Sequence, residues 1–166
     1  MKTLARLRVP LGFLGTAVAL ALVRPSWTTW QVGAAVAAAG ELLRLWAAGH
    51  IDKGREITRS GPYRFLRHPL YVGSTLIGIG FALASRNAIV WALTTVYLAV
   101  TLAAAIRTEE RTLDERFAGA YSEYRAGRAT PVDRPFTWAR VVANREYRAV
   151  TGVLIAFAWL WIRVRG

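Results

Sequence analysis

Two short stretches of the sequence place charged and aromatic side chains at the ends of apolar segments. The first, residues 61–73, reads GPYRFLRHPLYVG and combines a histidine, two tyrosines and two arginines where a polar loop becomes an apolar run. The second begins at Glu109 and Glu110 and reads EERTLDERFAGAYSEY. Carboxylates attract cations, arginines attract anions, and tyrosines present their faces to planar or cationic groups. Together these stretches predict a pocket with cationic, aromatic and carboxylate walls.

Each of these residues also has a purely structural interpretation. A histidine beside a proline commonly caps a helix, and Pro69 suits the first helical turn, so His68 is expected at the N-cap. Tyrosines are ordinary residues of the membrane interface, and Glu109 and Glu110 would solvate a helix end. The combination of residue types at this spacing favours the functional interpretation.

The composition places these stretches in an integral membrane protein. Hydrophobic residues make up 54% of the 166 residues and the mean hydropathy is +0.29, which exceeds what a soluble core of this size requires. The chain has no cysteine, which excludes disulfides, thiolate metal ligands and cysteine nucleophiles. With two histidines alone, no metal site is predicted.

The apolar segments predict an all-α, polytopic membrane bundle of about five transmembrane helices. We expect these helices at residues 4–23, 28–48, 69–84, 88–106 and 149–162. A cleaved signal peptide is the alternative for the first segment. Residues 107–124 keep apolar side chains at three- and four-residue spacing, which predicts a cytoplasmic amphipathic helix continuing from the fourth span. Residues 136–148 are expected at the membrane interface.

The second predicted span is rich in small residues that allow helices to approach closely in lipid. It also carries Glu41 and Arg44, three residues apart near its end. We expect an ion pair between them, since side chains three apart meet on one helix face. The alternative is that Glu41 faces a polar cavity.

The distribution of basic residues predicts the orientation of the chain. The net charge is +12, and 17 of the 22 lysines and arginines fall on the side of the predicted bundle that holds the N-terminus. This asymmetry indicates a cytoplasmic N-terminus and makes nucleic-acid binding unnecessary as an explanation. A three-residue turn at residues 85–87 makes the flanking spans antiparallel neighbours. His68 and Tyr71 are therefore expected beside Glu109 and Glu110, at the cytoplasmic face.

The two stretches resemble the isoprenylcysteine carboxyl methyltransferase family and the related phospholipid methyltransferases, which are membrane enzymes that use S-adenosylmethionine. The family pattern is G-x-Y, four residues, H-P-x-Y-x-G, and later E-E-x-x-L-x-x-x-F-G-x-x-Y-x-x-Y. The matching residues here are Gly61, Tyr63, His68, Pro69, Tyr71, Gly73, Glu109, Glu110, Leu113, Phe117, Tyr121 and Tyr124. The resemblance covers about residues 55–135. One departure is that Phe117 is followed by alanine, with glycine one place later.

The resemblance implies that S-adenosyl-L-methionine binds between the two stretches. The cofactor-binding residues that it implies are Arg55, Glu56, Ile57, Thr58, Tyr63, His68, Pro69, Leu70, Tyr71, Glu109 and Glu110. A helix N-terminus at Pro69 would favour the cofactor's carboxylate. Residues 1–166 are then one membrane domain, with a two-helix hairpin at 1–48, a cofactor-binding core at 49–135, and an interfacial segment and last helix at 136–166.

The resemblance leaves the methyl acceptor open. The prenylcysteine enzymes resemble one another in having an arginine one turn before the first glutamate, where this chain has Ala105. Arg107 and Tyr124 are the substrate-side candidates. The expected partner is a lipid, or a lipidated small molecule or protein, in the bilayer, which receives the methyl group on carboxyl oxygen or lipid nitrogen. The sequence does not define the oligomeric state.

Two other classes of function remain open. A reductase of the sterol type, which the family resembles distantly, would use a nicotinamide cofactor. A non-enzymatic membrane scaffold or small transporter would use Glu41 as an ion-coupling residue.

Overall fold

Helices account for most of the described chain. The computed structural model describes residues 15, 18–52, 55–117, 120–130 and 132–166, and no strand occurs within them. The elements are α1 (Trp27–His50), a 3₁₀ turn (Gly61–Arg64), α2 (Pro69–Ser85), α3 (Ala88–Arg116), α4 (Ala120–Arg125), α5 (Trp138–Ala143) and α6 (Tyr147–Arg165). The prediction of an all-α fold is confirmed.

Three of the described helices are long and apolar enough to cross a membrane. These are α1, α3 and α6, with 24, 29 and 19 residues, and the apolar helix α2 is shorter, at 17 residues. They make the protein an integral membrane protein and match the second to fifth predicted spans. Most of the first predicted span, residues 4–23, lies outside the described residues. Within this span, residues 18–22 are described and are helical.

Close contact between α1 and α2 depends on glycines at matching positions in the two antiparallel helices. A Cβ atom added to Gly40 would lie 2.6 Å from the carbonyl oxygen of Gly73. One added to Gly80 would lie 2.5 Å from the carbonyl oxygen of Gly33 and 2.7 Å from the amide nitrogen of Ala37. Real side chains do not fit at these distances, so the two backbones touch directly. The small residues of the second predicted span therefore do allow close packing.

The turn between α2 and α3 is short, as predicted, and closes by two local features. Arg86 adopts a left-handed backbone conformation with φ of 49°. The side chain of Asn87 then accepts hydrogen bonds from the amide groups of Ile89 and Val90, which starts α3. The helices on either side become antiparallel neighbours, and the start of α2 lies beside the far half of α3.

Arg44 connects three helices instead of pairing with Glu41. One guanidinium nitrogen lies 2.5 Å from the Glu146 carboxylate, which precedes α6. The other donates to the carbonyl of Leu70, at 3.3 Å, and to the hydroxyl of Ser74, at 2.5 Å. The predicted Glu41–Arg44 ion pair is therefore wrong, because partners distant in sequence take up the guanidinium. Glu41 is buried, and neither of its carboxylate oxygens has a hydrogen-bond partner among the described residues.

The predicted amphipathic helix at residues 107–124 is interrupted. Helix α3 continues to Arg116, and Phe117 leaves the helical conformation with φ of −122° and ψ of 43°. A separate short helix, α4, begins at Ala120. This break turns the chain back, and the Tyr124 hydroxyl donates a hydrogen bond to the carbonyl of Tyr63 at 2.9 Å.

The end of α1 is covered by the segment that contains α5. The amide of Thr137 and the side chain of Arg140 both donate to the carbonyl of Gly49, each at 3.1 Å. The side-chain amide of Asn144 donates to the carbonyls of Ala48 and Ile51, at 3.0 and 3.2 Å. These bonds satisfy carbonyls that a helix end leaves without partners.

Replacement of Gly80 by alanine tests the contact between α1 and α2. We expect Gly80→Ala to lower the free energy of unfolding by roughly 1–3 kcal/mol, because its methyl group meets backbone atoms that must move apart. The control is Gly152→Ala in α6, where an added Cβ has no atom within 4 Å. Thermal unfolding in detergent, followed by helical circular dichroism, measures both variants, and equal stability would contradict the packing described here.

Candidate functional site

A cavity of about 570 Å³ lies where the polar loop after α1, the start of α2, the polar half of α3 and α4 meet. It is lined by Ile51, Glu56, Ile57, Thr58, Tyr63, Arg67, His68, Tyr71, Ala104, Ala105, Thr108, Glu109, Thr112, Leu113, Arg116, Phe117, Tyr121 and Tyr124. The volume falls within the range of about 300–1,000 Å³ that is typical of small-molecule sites. The two sequence stretches, residues 61–73 and 109–124, both contribute side chains to this cavity.

His68 connects the two stretches at the start of α2. It is the N-cap residue of α2, as predicted. Its Nε2 atom lies 3.2 Å from a carboxylate oxygen of Glu110, and its Nδ1 atom lies 3.8 Å from a carboxylate oxygen of Glu109. The predicted proximity of the two stretches is confirmed, and the imidazole is held between two carboxylates.

The two glutamates occupy different positions. Glu109 lines the cavity and lies beside the hydroxyl of Tyr71, whose ring is 5.6 Å from the ring of His68. Glu110 does not line the cavity; it contacts His68 and lies 3.8 Å from Arg67. Glu109 is thus positioned to face a bound molecule, whereas Glu110 is positioned to orient the histidine.

Buried hydroxyl groups on the loop side are available to a ligand. Tyr63 and Thr58 line the cavity and are 7% and 6% exposed. Their hydroxyl oxygens are buried and have no hydrogen-bond partner among the described residues. Such groups are costly unless something pairs with them. A molecule bound in the cavity would provide that partner.

Burial keeps the tyrosines outside the membrane-crossing helices in their neutral form. Desolvation raises the pKa of Tyr63 far above its ordinary value, and the nearby Glu109 carboxylate adds to the effect. Burial likewise raises the pKa of Tyr121 and of Tyr124. These phenols serve as hydrogen-bond donors and aromatic surfaces at neutral pH, because their ionised forms are disfavoured.

The cavity includes most, but not all, of the residues singled out from the sequence. Those that line it are Glu56, Ile57, Thr58, Tyr63, His68, Tyr71, Glu109 and Tyr124. Those that do not are Arg55, Pro69, Leu70, Glu110 and Arg107. Pro69 is fully buried, and Leu70 packs against the buried cluster of Ala47, Ile51 and Tyr63. Arg107 is exposed on α3.

The first turn of α2 has few backbone amides left for an anion. Pro69 has no N–H group, and the amides of Tyr71 and Val72 already donate to the carbonyl of His68, at 3.0 and 3.1 Å. The first turn of α2 therefore offers an anion fewer free donors than a helix N-terminus usually does.

Several lining residues were not identified from the sequence. Ala104, Thr108, Thr112 and Arg116 follow one another at intervals of four along α3, so they form one face of the helix. That spacing is the signal that would have identified them. Arg67 also lines the cavity, although the sequence indicated only its neighbour His68.

Arg134 is a supporting residue that the sequence gave no reason to select. Its guanidinium lies 2.6 Å from the Glu56 carboxylate and 3.9 Å from that of Asp52. The side chain is only 22% exposed. Arg134 thereby fixes the loop that carries Glu56, Ile57 and Thr58 against the end of the bundle.

Comparison with known proteins defines the class to which this architecture and site belong. The phospholipid methyltransferase family profile matches residues 16–120, which include the whole first motif and the second motif as far as residue 120. The chain therefore belongs to the phospholipid methyltransferase family of membrane proteins. No solved structure matches the chain.

Two curated relatives carry names that refer to metal resistance. The cobalt-zinc-cadmium resistance protein CzcN of Cupriavidus metallidurans is 36% identical over 110 residues, which cover 65% of this chain and 48% of the relative. The nickel-cobalt-cadmium resistance protein NccN of Alcaligenes xylosoxydans xylosoxydans is 31% identical over 110 residues, with 65% and 49% covered. The matched segment spans about half the length of each relative.

Replacement of Arg134 tests its role in holding the loop. We expect Arg134→Gln to increase amide hydrogen exchange at residues 55–58 severalfold, because the Glu56 carboxylate loses its partner. The control is Arg128→Gln, since Arg128 forms an exposed ion pair with Glu123 instead. Exchange measured by mass spectrometry checks this expectation, and unchanged protection of the loop would contradict it.

Proposed function

We propose that this protein transfers a methyl group from S-adenosylmethionine to an amphipathic acceptor at the cytoplasmic face of the membrane. The observation that carries the proposal is the cavity of about 570 Å³ that residues of both sequence motifs line. Tyr63, His68 and Tyr71 come from the first motif and Glu109 from the second, and the loop bearing Glu56 and Thr58 completes the wall. Membership of the phospholipid methyltransferase family supports the same reaction.

The lining of the cavity fits the chemistry of the cofactor. S-adenosylmethionine carries a sulfonium and an ammonium group, for which Glu56 and Glu109 are suitable partners. Its carboxylate would bind Arg67 or Arg116, which also line the cavity. The unpaired hydroxyl of Tyr63 and the neighbouring aromatic rings suit the adenosine portion. When bound, the cofactor supplies an electrophilic methyl group.

The contribution of the protein to such a reaction is orientation and exclusion of water. Direct displacement at the sulfonium methyl needs no covalent enzyme intermediate, but it needs the acceptor atom at roughly 3–3.5 Å and in line. The carboxylate of Glu109 would stabilise the cationic donor, and its neutral neighbours Tyr63 and Tyr71 would exclude water. In a partly dehydrated site these charge interactions are stronger than in bulk water.

The nature of the acceptor determines whether a base is required. A carboxylate acceptor needs none, whereas an ammonium must first lose a proton. Buried Tyr63, Tyr121 and Tyr124 are poor bases, because burial raises their pKa values. His68 and Glu109 are the better proton acceptors at the cavity, and their 3.8 Å separation allows them to act together.

The acceptor would enter along α3. Ala104, Thr108 and Thr112 line the cavity and are themselves exposed, so the wall is open on this side. Nearer the middle of the same helix, Val96 and Val100 are each 63% exposed, as expected for a surface that faces lipid. An amphipathic molecule could therefore move from the bilayer into the cavity. The basic-residue asymmetry of the sequence supports a cytoplasmic location.

The alternatives have less support. A reductase would bind NADPH, whose additional phosphate groups need a strongly basic site, whereas this cavity also contains two glutamates. A transporter would use the unpaired, buried Glu41, but Glu41 does not line the cavity. Within the described residues, no three His, Cys, Asp or Glu side chains form a group that could hold a metal ion.

Cofactor binding to the purified protein provides the direct test. We expect S-adenosylmethionine to bind and NADPH not to bind. Glu109→Gln should weaken S-adenosylmethionine binding at least tenfold, because the site loses a carboxylate that faces the cationic groups. Glu115→Gln is the matched control, since Glu115 lies on the same helix but pairs with Arg111 outside the cavity. Isothermal titration measures each affinity, and equal binding by the folded Glu109 and Glu115 variants would refute the site.

Methyl transfer and its location can be measured together in sealed membrane vesicles. The charged cofactor does not cross a bilayer, so methyl-labelled S-adenosylmethionine added outside should label lipid only in inside-out vesicles. Label released as methanol by mild base would identify an ester, and base-stable label an N-methyl product. No labelling above the Glu109→Gln level in either orientation would count against methyl transfer to these lipids, and labelling in right-side-out vesicles would reverse the proposed orientation.

A further inference from the structure

A second cavity, of about 360 Å³, shares the lining residues Tyr63, Arg67 and Tyr124 with the first. We call it the arginine cavity, because Arg59, Arg64, Arg67 and Arg125 line it. None of its described lining residues is acidic. The first cavity combines acidic and basic groups, so the two cavities differ in the ligands that they can accept.

Ion pairing neutralises only part of this positive charge. Arg64 lies 3.0 Å from the Asp133 carboxylate, and Arg67 lies 3.8 Å from Glu110, which also contacts His68. Arg59 and Arg125 form no ion pair with any residue that the structure describes.

Arg59 is also incompletely hydrogen-bonded. Its Nε atom is buried without a partner among the described residues. Buried charged donors normally have an acceptor, so this nitrogen is available to one. Guanidinium groups bind phosphate oxygens through paired N–H donors, which makes phosphate the anion that several converging arginines suit best.

Two exposed apolar side chains lie at the mouth of the same cavity. Phe65 and Leu66 line it, yet they are 78% and 36% exposed. They directly follow the 3₁₀ turn, just before the start of the apolar helix α2, so they lie near the expected membrane surface. A large exposed aromatic beside unpaired arginines has the character of a surface that enters the boundary between lipid headgroups and acyl chains.

We propose that the arginine cavity binds the phosphate group of an anionic membrane lipid, with Phe65 and Leu66 inserted among its acyl chains. Arg59 and Arg125 contact the phosphate, and Arg64 and Arg67 add to the attractive field. A free phosphate would satisfy the arginines equally well but would leave both apolar side chains in water. The site does not depend on methyl transfer, since it needs only an anion and an apolar tail.

The test measures lipid binding by the full-length protein in uncharged detergent micelles that contain a defined fraction of fluorescent phosphatidylglycerol. We expect saturable binding that weakens as salt is added, and weaker binding of phosphatidylcholine, whose headgroup has no net charge. Replacing both Arg59 and Arg125 by glutamine should weaken phosphatidylglycerol binding about 25-fold, or about fivefold for each arginine near an anionic lipid. Arg111→Gln, on an exposed arginine outside both cavities, should have no effect.

Two further variants separate the possible outcomes. Phe65→Ser should weaken phosphatidylglycerol binding. It should leave unchanged the inhibition constant of inorganic phosphate, measured by competition with the lipid. Arg59→Lys should retain part of the affinity, because it keeps the charge and loses the paired donors. Helical circular dichroism and the unfolding temperature confirm that each variant is folded.

Two results would overturn the proposal. One is equal phosphatidylglycerol affinity in the double variant and in Arg111→Gln. The other is inorganic phosphate that binds as tightly as the lipid, with no effect of Phe65→Ser, since this would identify a site for a soluble anion.

Discussion

The direct backbone contact between α1 and α2 is the constraint on which the rest of the structure depends. Because glycines on both helices remove side chains from the interface, the end of α1 lies beside the start of α2. The connection of residues 51–68 must then leave and return at nearly the same place. The second half of this connection is held against α1 by Ser60, whose hydroxyl lies 3.2 Å from the His50 imidazole. Gly61, with φ of 55°, permits the close approach of this ring. The loop that forms one wall of the cavity is thus shaped by a contact within the helix pair.

The opposite wall follows from the short turn between α2 and α3. Antiparallel helices joined by two residues keep their far ends adjacent, which brings His68 to Glu109 and Glu110. A rigid pair of helix ends is a better support for a reacting group than a loop, because packing fixes the side-chain positions. Arg44 extends this support by joining both helices to Glu146. Breaking such a buried pair by removing one partner typically costs about 3–5 kcal/mol.

The sequence was sufficient to predict the four long helices of the described chain and the meeting of the two motifs. Apolar runs and turn residues act locally, so the bounds of α1, α2 and the turn at Arg86 could be read directly. The pairing of His68 with the glutamates followed from counting residues around that turn. Interactions between residues that are far apart in sequence could not be predicted. Glu146 competes for Arg44, and Arg134 reaches Glu56 across about 80 residues of sequence.

The interruption of the helix at Phe117 illustrates the same limit and affects both cavities. A continuous helix through residues 107–124 satisfies the apolar spacing, so periodicity alone favours it. The observed break allows Tyr124 to reach the backbone of Tyr63. These two tyrosines and Arg67 line both the first cavity and the arginine cavity. Arg67 lines both cavities and lies near Glu110. A change of charge in one cavity therefore alters the electrostatic potential in the other. The two proposed ligands would therefore influence each other's binding through this one guanidinium, even though they occupy separate cavities.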